Sequence, residues 1–247
     1  MRTEATSATW PEAGQVSGRH RPAVLAFGAL EAHGPHLPLS TDTLMATGLA
    51  EKVADAVEGW LLPAVPYGDT AASNGFPGTV SLSFATVRAI AGDICRSLKK
   101  QGFPCLIVVN GDYGNRAALG VAARDALDEL DWPVLVVNYP GLAEIAAQIC
   151  ESTPAAPGFY HADEVETSMM LALRPDLVHM DRAEAAYPLM PETLGSVPTQ
   201  LALLSPTGVF GDPRPADGGK GRQLLDLLAA EAVALARSFL AALGHVP

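Results

Sequence analysis

Apolar positions along the chain fall into two alternating rhythms. Residues 23–28 form a short continuous apolar run, the pattern of a strand buried on both faces. A longer segment follows over 41–59, with Leu44, Met45, Leu49, Val53 and Val57 at helical spacing and capping chemistry at Ser40, Thr41 and Asp42. Strands are predicted next over 61–65, 105–110 and 134–138, and helices over 84–100, from about 115 to 130, and over 142–150. The run at 105–110 is the clearest buried strand in the sequence. Strands and helices alternating at this pitch predict an α/β fold: a single-domain three-layer sandwich with a mostly parallel sheet flanked by helices. Beyond about residue 155 the rhythm loosens to a helix over 163–173, a proline-rich stretch over 188–215 and a strong helix over 219–243. Residues 1–20 read as a loosely ordered segment and 21–247 as one domain.

Composition narrows the function classes. The chain has 247 residues, 49% hydrophobic and 17% charged, which is too apolar for a disordered chain. No apolar run reaches the roughly 18–20 residues of a membrane span without a charge, glycine or proline. The first fourteen residues lack the apolar centre of a secretory signal, so the expected location is cytoplasmic. Sixteen Lys and Arg against 27 Asp and Glu give a formal charge of -11, which disfavours nucleic acid and anionic membranes and tolerates bound metal. Cys95, Cys105 and Cys150 lie in apolar stretches at no metal-ligand spacing and read as reduced core residues.

Ligands of such a sheet bind beyond the carboxyl ends of its strands. The first strand runs into a Gly/Pro-rich loop holding Glu31, His33, His36 and Asp42. Carboxylate and imidazole are the usual ligands of zinc, manganese or iron, although loops are polar anyway and Asp42 also serves as a helix cap. The strongest strand ends in Asn110, Gly111, Asp112, Tyr113, Gly114 and Asn115, which is an ordinary turn or a second contribution to the same edge. A third segment, 161–168, starts with His161 and carries Asp163, Glu164 and Glu166. The helix dipole accounts for acidic residues there, yet Glu166 borders the predicted buried stripe of Val165, Met169 and Leu173, and a carboxylate so placed needs a partner.

These segments together resemble the creatininase family of metal-dependent amide hydrolases, over nearly the whole chain. The family loop G-x-x-E-x-H-G-P-H-L-P-L-x-T-D is matched by 28–42, F-P-G-T by 76–79, and H-A-x-x-x-E-T-S by 161–168. Trp10, Pro11 and Glu12 and the late segment 208–213 also look like the family, and the late segment with 171–175 looks most like the branch that trims the mycofactocin precursor peptide. The resemblance implies a site for two divalent ions (zinc, manganese or iron) in a homo-oligomer, a hexamer by family habit. By the same resemblance Glu31, His33 and Asp42 are ligands, with Asp42 bridging. Glu166 is a ligand or close to one, His161 the general acid/base, and Ser73, Tyr113 and His36 contacts to the substrate.

Three departures from the family pattern stand out. Asp112 replaces the histidine of N-G-H, Ala72 and Ser73 replace a Glu-His pair, and Asp163 replaces the glycine of H-A-G. An aspartate can still bind a divalent ion, so Asp112 stays in the expected ligand set. The expected activity is hydrolysis of an amide-type C–N bond in a small cyclic amide or a peptide. The rivals are a diverged relative with a non-hydrolytic reaction and a binding module without catalysis.

Overall fold

The structure, a computed structural model, describes residues 3–19 and 21–244. In chain order the elements are β1 (Thr3–Glu4), α1 (Trp10–Gly18), β2 (Ala23–Phe27), α2 (Thr41–Ala56), β3 (Trp60–Leu61), α3 (Phe84–Lys100), β4 (Leu106–Asn110), α4 (Asn115–Leu130), β5 (Val134–Val137), α5 (Leu142–Ile149), α6 (Glu164–Leu173), α7 (Leu201–Leu204) and α8 (Gly218–Ala242). The strands pair in the order β1-β3-β2-β4-β5, every pair parallel, so their carboxyl ends share one edge.

The period of two along each strand sorts side chains into two cores. Val24 and Ala26 of β2 with Ile107 and Val109 of β4 face α2, α5, α6 and α8. Ala23, Leu25 and Phe27 with Leu106 and Val108 face α3 and α4. Both faces of the central strands are therefore buried, which is why they read as unbroken apolar runs. The three-layer α/β sandwich expected from the sequence is the fold observed.

Two expectations change. The strand expected over 61–65 shrinks to Trp60–Leu61, because Pro63 has no N–H for the ladder; Val65 then rejoins Phe27 through a single bridge. The segment read as loosely ordered, 1–20, carries β1 and α1. Thr3 donates its N–H to Gly59 O, the Glu12 carboxylate accepts from Thr9 N and Oγ1 at the start of α1, and Ala13 and Val16 pack against the α3–α4 core. Its small, polar composition hid a helix start of the capping type. Met1, Arg2, His20 and residues 245–247 lie outside the described residues.

Glycines at the two central strand ends set how near α2 comes to the sheet. A Cβ on Gly28 would lie 2.4 Å from Thr43 Cα, and one on Gly111 would lie 2.4 Å from Asp42 O. The first turn of α2 is thus seated directly on the ends of β2 and β4. Gly111→Ala should lower stability by about 1–3 kcal/mol, the usual effect of forcing an extra group into a packed site. Gly120→Ala, at a position of α4 where the added carbon meets nothing within 4 Å, should be neutral or stabilising. Thermal unfolding of both variants checks this, and equal melting temperatures would contradict the close-packing account.

Candidate metal centre

Two strand ends and two helix starts deliver the polar residues to one place. Glu31 and His33 leave β2 in the loop that α2 closes, held where Ala32 N donates to Thr79 Oγ1 and Val80 N donates to Leu30 O. Thr79 is the last residue of the Phe76–Pro77–Gly78–Thr79 segment, so that motif braces the first loop. Asp42 sits in the first turn of α2, placed by the glycine contacts described above. Asp112 follows β4, its Oδ1 accepting from Gly114 N at 3.0 Å, while Asn110 Nδ2 donates to Asp112 O and to Asn138 Oδ1. Asn115 ties the loops together: its Nδ2 donates to Gly28 O and its Oδ1 accepts from Asp69 N. Glu166 lies in the first turn of α6, where Asp163 caps the Val165 and Glu166 amides. A left-handed turn at Ala162 (φ +52°) lets Ala162 N donate to Glu166 Oε2 at 2.6 Å.

Three groups of side chains each bring their donor atoms within 4.8 Å of one another: Glu31, Asp42 and Asp112; His33, Asp42 and Glu166; Glu31, His33 and His161. Asp42 belongs to the first two groups. His33 Nε2 lies 3.2 Å from Asp42 Oδ1 and 3.6 Å from Glu166 Oε2, and its Nδ1 is 3.2 Å from Glu31 O. His161 stacks beside His33 at 4.5 Å between ring centroids, with Nδ1 3.8 Å from Glu31 Oε1. Phe210 meets the His161 ring edge-on, and Phe210 N donates to His161 O.

The electrostatics are severe. Burial pushes the Glu31 carboxyl up to about 7 and the Asp42 charge adds to that, while His33 and Ser73 oppose it. Burial likewise takes the Glu166 carboxyl up to about 8 against the pull of His33. Asp112 is driven well above the carboxylate range by burial and then by the Glu31 and Asp42 charges. Burial works against a proton on His33, but Asp42 and Glu166 outweigh it and hold the imidazole protonated well above its usual range. His161 is pushed the other way by burial and by the His33 charge and stays neutral. Asp42 Oδ2, Asp112 Oδ2 and the Nε2 atoms of His33 and His161 are buried without an aligned hydrogen-bond partner. Buried, mutually repelling oxygen donors with orphaned lone pairs are what a divalent cation relieves, so the donor set fits metal.

The structure brings together Glu31, His33, Asp42, Asp112, His161 and Glu166 as the sequence predicts. Asp112 points into the cluster rather than merely shaping its turn. The same edge opens into a cavity of about 620 Å³ that includes Ser73 and, at its mouth, Tyr113. His36 is placed differently: it is fully buried, its Nε2 2.9 Å from Thr167 Oγ1, and it clamps the first loop to α6 without lining the cavity. Its spacing in the polar loop could not distinguish a pocket residue from a buried clamp. Among the cavity residues not singled out from the sequence are Thr70 and Tyr139, each with a buried hydroxyl lacking a partner. Tyr139 lies just past β5, and the rule that strand ends carry the site points to it.

A family model described as creatininase (creatinine amidohydrolase) matches residues 6–236. Creatinine amidohydrolase of Pseudomonas putida is 31% identical over 236 residues, spanning 89% of this chain and 90% of that protein. The mycofactocin precursor peptide peptidase of Mycobacterium ulcerans is 34% identical over 213 residues, spanning 81% and 78%. A crystal structure of creatinine amidohydrolase superposes with a TM-score of 0.87 at 28% identity, covering 96% of this chain and 98% of that one. Two further creatininase structures, one a manganese form and one a mutant of zinc–zinc type, superpose with TM-scores of 0.84 and 0.87 at 27% identity.

The raised acids set a pH dependence for the metal-free protein. Glu31 and Glu166 keep their protons in the folded state up to about 7 and 8, whereas the unfolded chain releases them near 4.5. The folded state therefore binds more protons over that window, and stability falls as pH rises through it. His33, raised in the same sense, extends the fall above 6.5, while lowered His161 and His36 act oppositely below it. Chelator-treated protein should accordingly melt at a lower temperature at pH 8 than at pH 6.5, with a smaller difference in metal-loaded protein. A metal-free melting temperature that rises across this interval would count against the cluster.

Proposed function

The chain belongs to the creatininase family, and from that premise we propose that it hydrolyses an amide-type C–N bond with two divalent ions held in two carboxylate nests that share Asp42. One nest is Glu31, Asp42 and Asp112, the other His33, Asp42 and Glu166. The observation that carries this reading is the sharing itself: these two donor triads meet at the Asp42 carboxylate. Four carboxylates balance two divalent charges. The oxygen-rich first nest leans towards manganese or iron, and the second, with its imidazole, accommodates zinc. Bound there, such ions supply Lewis acidity towards the carbonyl and make water a nucleophile near neutral pH.

The chain's own residues carry the rest. His161, neutral and with Nε2 unpaired, is poised to accept the proton of the attacking water. The water oxygen bonds to the carbonyl carbon, the C–N bond breaks, and His161 delivers that proton to the departing nitrogen, which leaves as an amine. A neutral imidazole held beside the cluster favours this over a metal-binding module without catalysis.

The cavity favours a peptide-like amide over a small cyclic one. Its 620 Å³ lies within the roughly 300–1,000 Å³ of sites that enclose drug-sized ligands, and Met45, Leu142, Phe159, Val197 and Leu201 contribute apolar walls. Arg116 lies at the same cavity, its guanidinium carbon 4.6 Å above the Tyr113 ring and without a carboxylate partner among the described residues. That cation suits a free carboxylate on the substrate. The three unpaired cysteines fit a cytoplasmic setting. Leu189 and Leu203, 94% and 84% exposed, fit a surface covered by further copies in a homo-oligomer.

Chelation should abolish hydrolysis of a peptide panel, and manganese, iron or zinc should restore it. Asp42→Asn should cost more bound metal, read by elemental analysis, than Asp112→Asn, because only Asp42 serves both nests. Protein that takes up no stoichiometric metal would end this reading. His161→Gln should retain its metal while kcat falls by roughly 10²–10⁴; an unchanged kcat would take His161 out of the proton path.

A further inference from the structure

Tyr139 is built at some expense and the steps above do not use it. It follows β5 at the carboxyl edge of the sheet, its ring packs against the α2–α5–α6–α8 core, and it lines the cavity. Its backbone is left-handed, at φ +48°, a region that bulky side chains avoid and that persists chiefly where the surroundings enforce it. Leu142 N donates to Tyr139 O and Gly141 follows at φ +74°, so the turn into α5 fixes that backbone. The hydroxyl is buried and finds no partner among the described residues, although a buried phenol normally has one. Packing does not explain the oxygen, since phenylalanine fills the same volume. Tyr139 shares the cavity lining with Asp42 and Glu166, and its phenolic O–H offers that space a hydrogen-bond donor.

We propose that Tyr139 is a catalytic residue whose hydroxyl donates a hydrogen bond to the oxygen of the scissile carbonyl as that oxygen takes on negative charge. Tyr139 forms no covalent bond and keeps its proton throughout. The donor is held in place before substrate arrives, and the interaction strengthens as charge develops, which is the arrangement that lowers a barrier rather than a dissociation constant. The inference rests on the hydrolase reading above.

The test compares metal-loaded wild-type protein with Tyr139→Phe. Four quantities are read: metal content, melting temperature, turnover of the peptide panel, and calorimetric affinity for butaneboronic acid, whose tetrahedral anion imitates the hydrated carbonyl. The variant should keep its metal and melt at the same or a higher temperature, because it loses an unpaired buried hydroxyl. Its kcat should fall by roughly 10²–10³ with KM little changed, and its boronate affinity should fall in parallel. Undiminished kcat and boronate affinity overturn the proposal, as does a loss that tracks lost metal or a lowered melting temperature. If wild-type holoprotein neither hydrolyses any panel member nor binds the boronate, the hydrolase reading falls and the role of Tyr139 falls with it.

Discussion

Mutual repulsion among buried carboxylates is the constraint around which this molecule is arranged. Glu31, Asp42, Asp112 and Glu166 converge where water is largely excluded, and the nearest positive charge the chain itself offers is His33. A single imidazolium cannot balance four ionised acids, so without further cations the cluster keeps protons that isolated carboxylates would release. Such a site is costly to fold around, and its geometry is intelligible as a receptacle for cations that are absent from the polypeptide. Lys220 shows the contrasting solution elsewhere in the chain. There the ammonium sits 2.6 Å from the buried Glu164 carboxylate and 2.7 Å from Glu151, and an acid two residues from Glu166 is satisfied internally.

The fold supports the strain through its sheet rather than through its loops. Parallel pairing collects every strand end on one edge, and the two-sided cores anchor those ends from above and below. Gly28 and Gly111 remove the side chains that would otherwise hold α2 away. Asn110 and Asn115 then replace missing backbone partners with side-chain amides, tying the loops after β2, β3, β4 and β5 to each other. The functional atoms are therefore set by rigid elements, and short polar ties correct the last ångström.

Much of this was legible in the sequence, and the exceptions have physical reasons. The central strands and the long helices announced themselves because burial on both faces leaves continuous apolar runs and burial on one leaves a helical stripe. The bounds of α3 came out residue for residue. Glu31, His33, Asp42, Asp112, His161 and Glu166 were found because each follows a strand or opens a helix in a recognisable motif. His36 was misplaced because a histidine that clamps two elements and one that touches a ligand carry the same local signal. Tyr139 and Thr70 escaped because their distinguishing property, a hydroxyl with nothing to bond, exists only once distant segments have packed around it. The helix α1 escaped because only Ala13 and Val16 within it pack against the core, too short an apolar stripe to stand out beside their polar neighbours.

The centre draws on separate stretches of chain, each anchored by its own ties. Asp112 stands alone on the turn after β4, held by the Gly114 amide and flanked by Asn110, and among the described residues it makes no hydrogen bond to the other members of the cluster. The walls of the cavity come from still other stretches, around 157–160 and 194–201. Under the proposed two-ion reading, ion preference and substrate choice are consequently separable traits. The donor at 112 and the wall segments can then each change by single substitutions while the other members of the cluster keep their own anchors.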